Sequence, residues 1–380
     1  MKKFLLFPVL ALALFNSCSN DDDVAITKVE NSDVIQQYAS FVYDAYQAAY
    51  NDAASMQTAI DNFVASPTAA NLQLAKNAWI AARESYGPTE AFRFANGPID
   101  LIDSEEGPEG LLNSWPLNEA YIDYVEGAPS TGIINDAAGF PDLSKDFLAS
   151  INGDGGEENV SVGYHAIEFL LWGQDNEAPT ELTAGDRPYT DFVDGGTAAN
   201  QDRRRTYLKN CAALLLDHLQ VLLDQWQPNG PYTTTFLAAD EEENISTVLT
   251  SIATLSKSEL AGERIFTAYD NRDQEDEHSC FSDNTHRDIR LNFDGIKQVY
   301  LGINGAQIGP SIHDLVEQED ATLAASIIAQ LDQAEMAVYG TAVPFDFAIS
   351  NDSTRPQVLE AVNALRDLGD KFAEASLYWE

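Results

Sequence analysis

Basic residues are in short supply. The 380-residue sequence carries 21 lysines and arginines against 61 aspartates and glutamates, a formal net charge of −40. Nucleic acid is therefore excluded as a partner, and so is binding to anionic lipid through a basic patch, because both need clustered positive charge. Such a field concentrates cations in general without building a site for any of them. No Gly-x-Gly-x-x-Gly, phosphate-binding loop, Gly-x-Ser-x-Gly elbow or Cys-x-x-Cys pair occurs, which sets aside dinucleotide, nucleoside triphosphate, serine-hydrolase and dithiol chemistry. Alternating strand-like segments bounded by turn pairs are missing too, so the chain reads as all-α.

The apolar run from Phe4 to Phe15, behind Lys2 and Lys3, is too short for a membrane span and reads as a secretory signal. With Cys18 just after it, the start resembles a bacterial lipoprotein signal. The resemblance implies removal of residues 1–17, lipidation of Cys18, and a membrane anchored through that lipid. Residues 18–31, with Asp21 to Asp23, then form an acidic tether. Ser19 in place of an aspartate implies the outer membrane, on its periplasmic or its surface face. In an exported chain the remaining Cys211 and Cys280 are either bridged or two free thiols, and Cys211 lies inside an apolar helical stripe.

Val34, Tyr38, Phe41, Val42, Ala45 and Ala49 recur at helical spacing, with Ser32 placed as the N-cap. Ser66-Pro67 reads as a cap and first helical residue for a second helix, running to the break at Gly87-Pro88. Four more long helical segments follow residue 203. The stretch from Gly173 to Gly196, rich in Gly, Pro and Asp, divides the chain into an N-terminal helical domain, residues 32–195, and a C-terminal one, residues 196–380. A weak echo between His165–Gly173 and Asp294–Gly302 hints at duplication.

The chemistry concentrates in "GYHAIEFLLWG". His165 and Glu168, three apart on a helix, lie on one face and can offer a nitrogen and an oxygen to one point, a donor set suited to zinc or iron. The same pattern fits a satisfied histidine beside a solvated glutamate. Asn159 or Ser161 is placed to cap this helix, and Gly163 to let another backbone approach. The second histidine of a zinc-protease His-Glu-x-x-His helix is missing. His278 and His286 read as members of a solvated loop, His218 as a core residue, and His313 as lacking a companion. The loop "NGDGGEEN" has a calcium-like composition without EF-hand spacing.

"GYHAIEFLLWGQD" resembles the Gly-x-His-x-x-Glu signature of the imelysin-like family, which includes the iron-regulated protein A group and insulin-cleaving membrane proteases. "AWIAARESYGPTEAFRF" (78–94) and "ELAGERIFTAYDNRDQEDEHSCFSDNTHRDI" (259–289) resemble its early and late blocks, in the family's order. The resemblance implies two helical bundles related by duplication with the site at their interface. It implies a divalent transition metal, iron or zinc, held by His165, Glu168 and Glu90, with Arg93, Arg264, Ser282 and Asp283 behind them or lining the cleft. The implied role is iron acquisition alongside other uptake components. The alternatives are a metal-dependent peptidase with Glu168 or Glu90 as base, and a cleft that takes a partner protein or haem without metal.

Overall fold

Thr68 starts the second long helix. Its hydroxyl accepts from the Asn71 N–H at 3.2 Å, and Ala69–Tyr86 follows. Ser66, expected there as cap, instead closes the preceding helix, Asn31–Ala65, donating its N–H to the carbonyls of Asn62 and Phe63. Pro67 keeps Ser66 out of the α region and so stops the first helix there, and the extended Thr68, at φ −137° and ψ 157°, takes the cap position. Ser32 likewise lies inside the first helix, which begins behind an extended Glu30 with no side-chain cap.

The computed structural model describes residues 28–380. The expected signal peptide, Cys18 and most of the acidic tether lie outside them. As the sequence implies, the fold is all-α. The strands among the described residues are two antiparallel ladders of two-residue strands, Leu101–Ile102 with Glu105–Glu106 and Ile303–Asn304 with Gln307–Ile308. No helix among the described residues is long and apolar enough to cross a membrane.

Asn31–Ala65 packs against Ala69–Tyr86 and against Gln201–Trp226, which also covers the short helix Gly163–Trp172. Gln201–Trp226 begins beyond the Gly173–Gly196 segment, yet it packs with elements that precede that segment. A second group forms where Arg355–Ser376 packs on Ala321–Tyr339, Glu241–Thr254 and the π-helix Leu255–Phe266. Fully buried Tyr46, Phe63 and Trp79 fill the first group, and Leu365, Leu368 and Phe372 the second. Each such side chain stabilises the fold by roughly 1.5–3 kcal/mol.

The two groups meet where the helix Thr285–Leu301 lies on the 3-10 turn Gly87–Phe92. Gly295 makes this approach possible, since a Cβ there would stand 2.3 Å from the Pro88 carbonyl oxygen. The irregular Gly173–Gly196 segment is pinned rather than loose. Its Arg187 joins Arg204 on the buried carboxylate of Asp123, at 2.6 and 2.7 Å on one oxygen. Cys211 is buried and Cys280 partly so, and both are free thiols.

Candidate metal centre

Gly163 sets the start of the signature helix. Its φ of +92° suits glycine, and a Cβ would lie 2.7 Å from the Leu112 carbonyl oxygen, so this is the close backbone approach the sequence implies. No side chain caps the helix. Ser161 turns inward, donating its hydroxyl to the Leu148 carbonyl at 2.7 Å. Every residue from Gly163 to Trp172 is buried, so the solvated-glutamate reading of Glu168 does not hold.

His165 and Glu168 bond to each other, with Nδ1 2.9 Å from Oε2. The other carboxylate oxygen, Oε1, accepts the N–H and the hydroxyl of Ser282, at 3.0 and 2.6 Å. Burial pushes the Glu168 carboxyl up to about 8 although Ser282 opposes it. Burial also drives the His165 imidazole well below its ordinary value, helped by His278 and Arg83. A neutral imidazole is the form that binds metal.

His278, expected on a solvated loop, is buried. Its ring meets that of His165 edge to face, with centroids 4.6 Å apart. Its Nδ1 donates to Asp288 at 2.8 Å. Arg83 approaches the other Asp288 oxygen at 3.2 Å and, together with His278, holds that carboxyl far below the carboxylate range despite its burial. Burial, reinforced by Arg264, lowers the His278 imidazole to about 4. Both Nε2 atoms, of His165 and of His278, are buried without a hydrogen-bond partner.

Glu90 is drawn into ion pairs. Oε2 accepts from Arg264 at 2.6 Å and from Arg93 at 3.2 Å, and Oε1 accepts from Asn113 at 3.2 Å. These arginines hold its carboxyl at about 2 against the cost of burial. Arg264 reaches Glu90 from the π-helix, where residues five apart share a face, so Glu259 also pairs with Arg264 at 3.0 Å. Asn113 links the Glu90 cluster to Arg83 at 2.6 Å, and Arg83 in turn carries Asp288. Among the described residues, no three His, Cys, Asp or Glu side chains are grouped so that they could hold a metal ion. His165, Glu168 and Glu90 are therefore not gathered at a single point.

Asp283 does not touch the pair. Burial, then Asp346 and Asp175, push its carboxyl up to about 7. His286 bonds the Asp283 carbonyl at 2.9 Å. His218, expected in the core, is only partly buried, and His313 has a companion after all in the Tyr300 hydroxyl at 3.3 Å. The sequence reading missed Arg83, Asn113 and Asp288, and misplaced His278. All but Asn113 lie in the family-like blocks, but Arg83 and Asp288 sit on regular helices where only packing buries their charges, and the turn that carries His278 is irregular.

Residues 42–372 match the family model described as imelysin. The chain is 25% identical over 369 residues to iron-regulated protein A of Synechococcus elongatus, covering 94% of this chain and 87% of that protein. Its fold also matches a crystal structure from Parabacteroides distasonis, of a provisionally named iron-regulated protein A precursor. There the TM-score is 0.72 at 20% identity, with 94% of this chain and 97% of that one covered.

Proposed function

The chain belongs to the imelysin family, and we propose that it is an exported lipoprotein that binds a divalent transition-metal cation at His165 and serves iron acquisition. Iron is the favoured cargo and zinc the competing one. The observation that carries this reading is the His165 ring: it is 1% exposed, with Nδ1 on a buried carboxylate and Nε2 facing no partner. Metal-binding histidines are characteristically held in this way, the second nitrogen bonded to a carboxylate that fixes ring orientation and tautomer. The relative named for iron regulation supports iron over other cations. The net charge of −40 favours accumulation of cations near the surface. Cys18 supplies the membrane attachment, which places the protein beside other components of iron uptake.

The test is a series of thermal melts with chelator, Fe²⁺ under anaerobic conditions, and Zn²⁺. A cation that binds only the folded chain stabilises it by mass action, about 2.7 kcal/mol at a hundredfold excess over Kd. Wild type should melt higher with metal, and His165→Ala should lose most of the gain. Identical responses of the two proteins sink the reading.

A further inference from the structure

We propose that the cation is held by two imidazole nitrogens, Nε2 of His165 and Nε2 of His278, while Glu168 and Asp288 each hold one ring through its Nδ1 and Glu90 takes no part. The inference rests on the reading above that this site binds a metal. It differs from that reading's simplest form, in which the signature histidine and glutamate are both ligands.

The carboxylates argue against themselves as donors. Glu168 already meets Ser282 with one oxygen and His165 with the other. Asp288 accepts from His278 on Oδ2 and from Arg83 and Asn284 on Oδ1. Glu90 is bound by Arg264, Arg93 and Asn113. Bringing a cation to Glu90 or Asp288 means displacing a guanidinium already bonded to that carboxylate, Arg264 on the first and Arg83 on the second.

The imidazoles have the opposite character. Asp288 is ringed by donors, Arg83 and Asn284 on Oδ1 and the Ser279 hydroxyl on Oδ2, so it meets the Nδ1 of His278 as an acceptor and leaves Nε2 as the ring's lone-pair nitrogen. That lone pair lies inside the protein, facing no donor, on a ring 2% exposed. His165 repeats the geometry, with Nδ1 on Glu168 at 2.9 Å and Nε2 without a partner. A buried polar atom left unsatisfied is costly, and its presence calls for an explanation such as an ion. Here two such atoms occur on rings whose centroids are 4.6 Å apart. One ring comes from the signature helix and the other from the turn before Thr285–Leu301, so a shared cation joins the two groups of helices.

Two nitrogens leave coordination positions open. His278 also lines a cavity of about 300 Å³ with Glu109, Glu157, Glu259 and Glu263, and with Arg93 and Arg264. With Glu109 and Glu259 paired to Arg93 and Arg264, the mouth stays net acidic and leaves space beside His278 for water or another small oxygen ligand on the cation.

The test uses the mature full-length protein and two probes, Fe²⁺ by anaerobic equilibrium titration and Cu²⁺ by electron paramagnetic resonance at one equivalent. The spectrum of wild type should show coupling to two imidazole nitrogens, a readout that needs no variant to fold. His165→Ala and His278→Ala should each weaken Fe²⁺ binding at least about 100-fold, and Glu90→Gln less than about 3-fold. Tight Fe²⁺ binding by wild type with a one-nitrogen spectrum, or with His278→Ala unaffected, overturns the two-histidine site and leaves the metal-binding reading standing. Failure of wild type to bind either probe overturns both.

Discussion

Ser282 grips Glu168 with two donors on a single oxygen, its N–H at 3.0 Å and its hydroxyl at 2.6 Å. The two residues lie 114 positions apart. The contact ties the signature helix to the turn that delivers His278, and so fixes how the two rings meet.

Removing the hydroxyl should therefore loosen the join between the two groups of helices. Ser282→Ala keeps the backbone donor and loses the shorter bond to a carboxyl that is fully buried. A loss of about 1–3 kcal/mol is expected in urea unfolding, the usual range when a buried acceptor loses a donor. A change within error of zero excludes the role given to this hydroxyl.

Arg264 and Glu90 form a buried pair, their side chains 2% and 1% exposed. Arg264→Met leaves Glu90 with the longer ion pair to Arg93 and the Asn113 amide, and should cost roughly 3–5 kcal/mol, as breaking a buried ion pair does. The double variant Arg264→Met, Glu90→Gln should recover part of this loss, because no charge is then left uncompensated. Additive losses in a double-mutant cycle count against the pair.

Stability should decline between acid and neutral pH. Burial pushes Asp175 up to about 6, helped by Asp346 and Glu177, and Asp283 up to about 7, helped by Asp346 and Asp175. Glu277 belongs to the same group and is likewise shifted well upward. A carboxyl whose folded pKa exceeds its unfolded value of about 3.9 binds more protons when folded, so its stabilising effect is lost as pH rises through the folded value. Asp283→Asn should match wild type near pH 4 and melt higher near pH 8. Parallel pH profiles of melting temperature for the two proteins contradict this assignment.

The anchor can be tested by cell fractionation. Cys18→Ala should move the protein from the outer membrane into a soluble fraction, and a variant that still sediments with membrane as wild type does rules out the lipid anchor.

Little or no general endopeptidase activity is expected on unfolded protein. The signature helix lacks the second histidine of a zinc protease, and Glu168, bonded through both oxygens, is poorly placed to act on a bound water. Metal-dependent cleavage by wild type, abolished in a folded Glu168→Gln, would establish the peptidase alternative instead.

Local pattern was enough to specify the helical class. The apolar spacing of three and four from Val34 to Ala49 speaks for itself in the sequence, since helix formation depends on near neighbours. Even the need for glycine at 163 was legible beside the signature. The cap at Thr68 was not, because Ser66 and Thr68 are both good caps and both can take the extended backbone that a cap needs. The site was legible only in part. His165 and Glu168 share one turn of helix, so their meeting follows from spacing. His278 joins them through an irregular turn held by Ser282, Asp288 and Arg83, residues distant in sequence whose contacts are decided by packing. Glu90 lies in a block of the expected kind, but two arginines from different elements take up its charge. Spacing along a helix predicts which side chains share a face, whereas the partner that a buried charge finds across an interface is settled only when the interface forms.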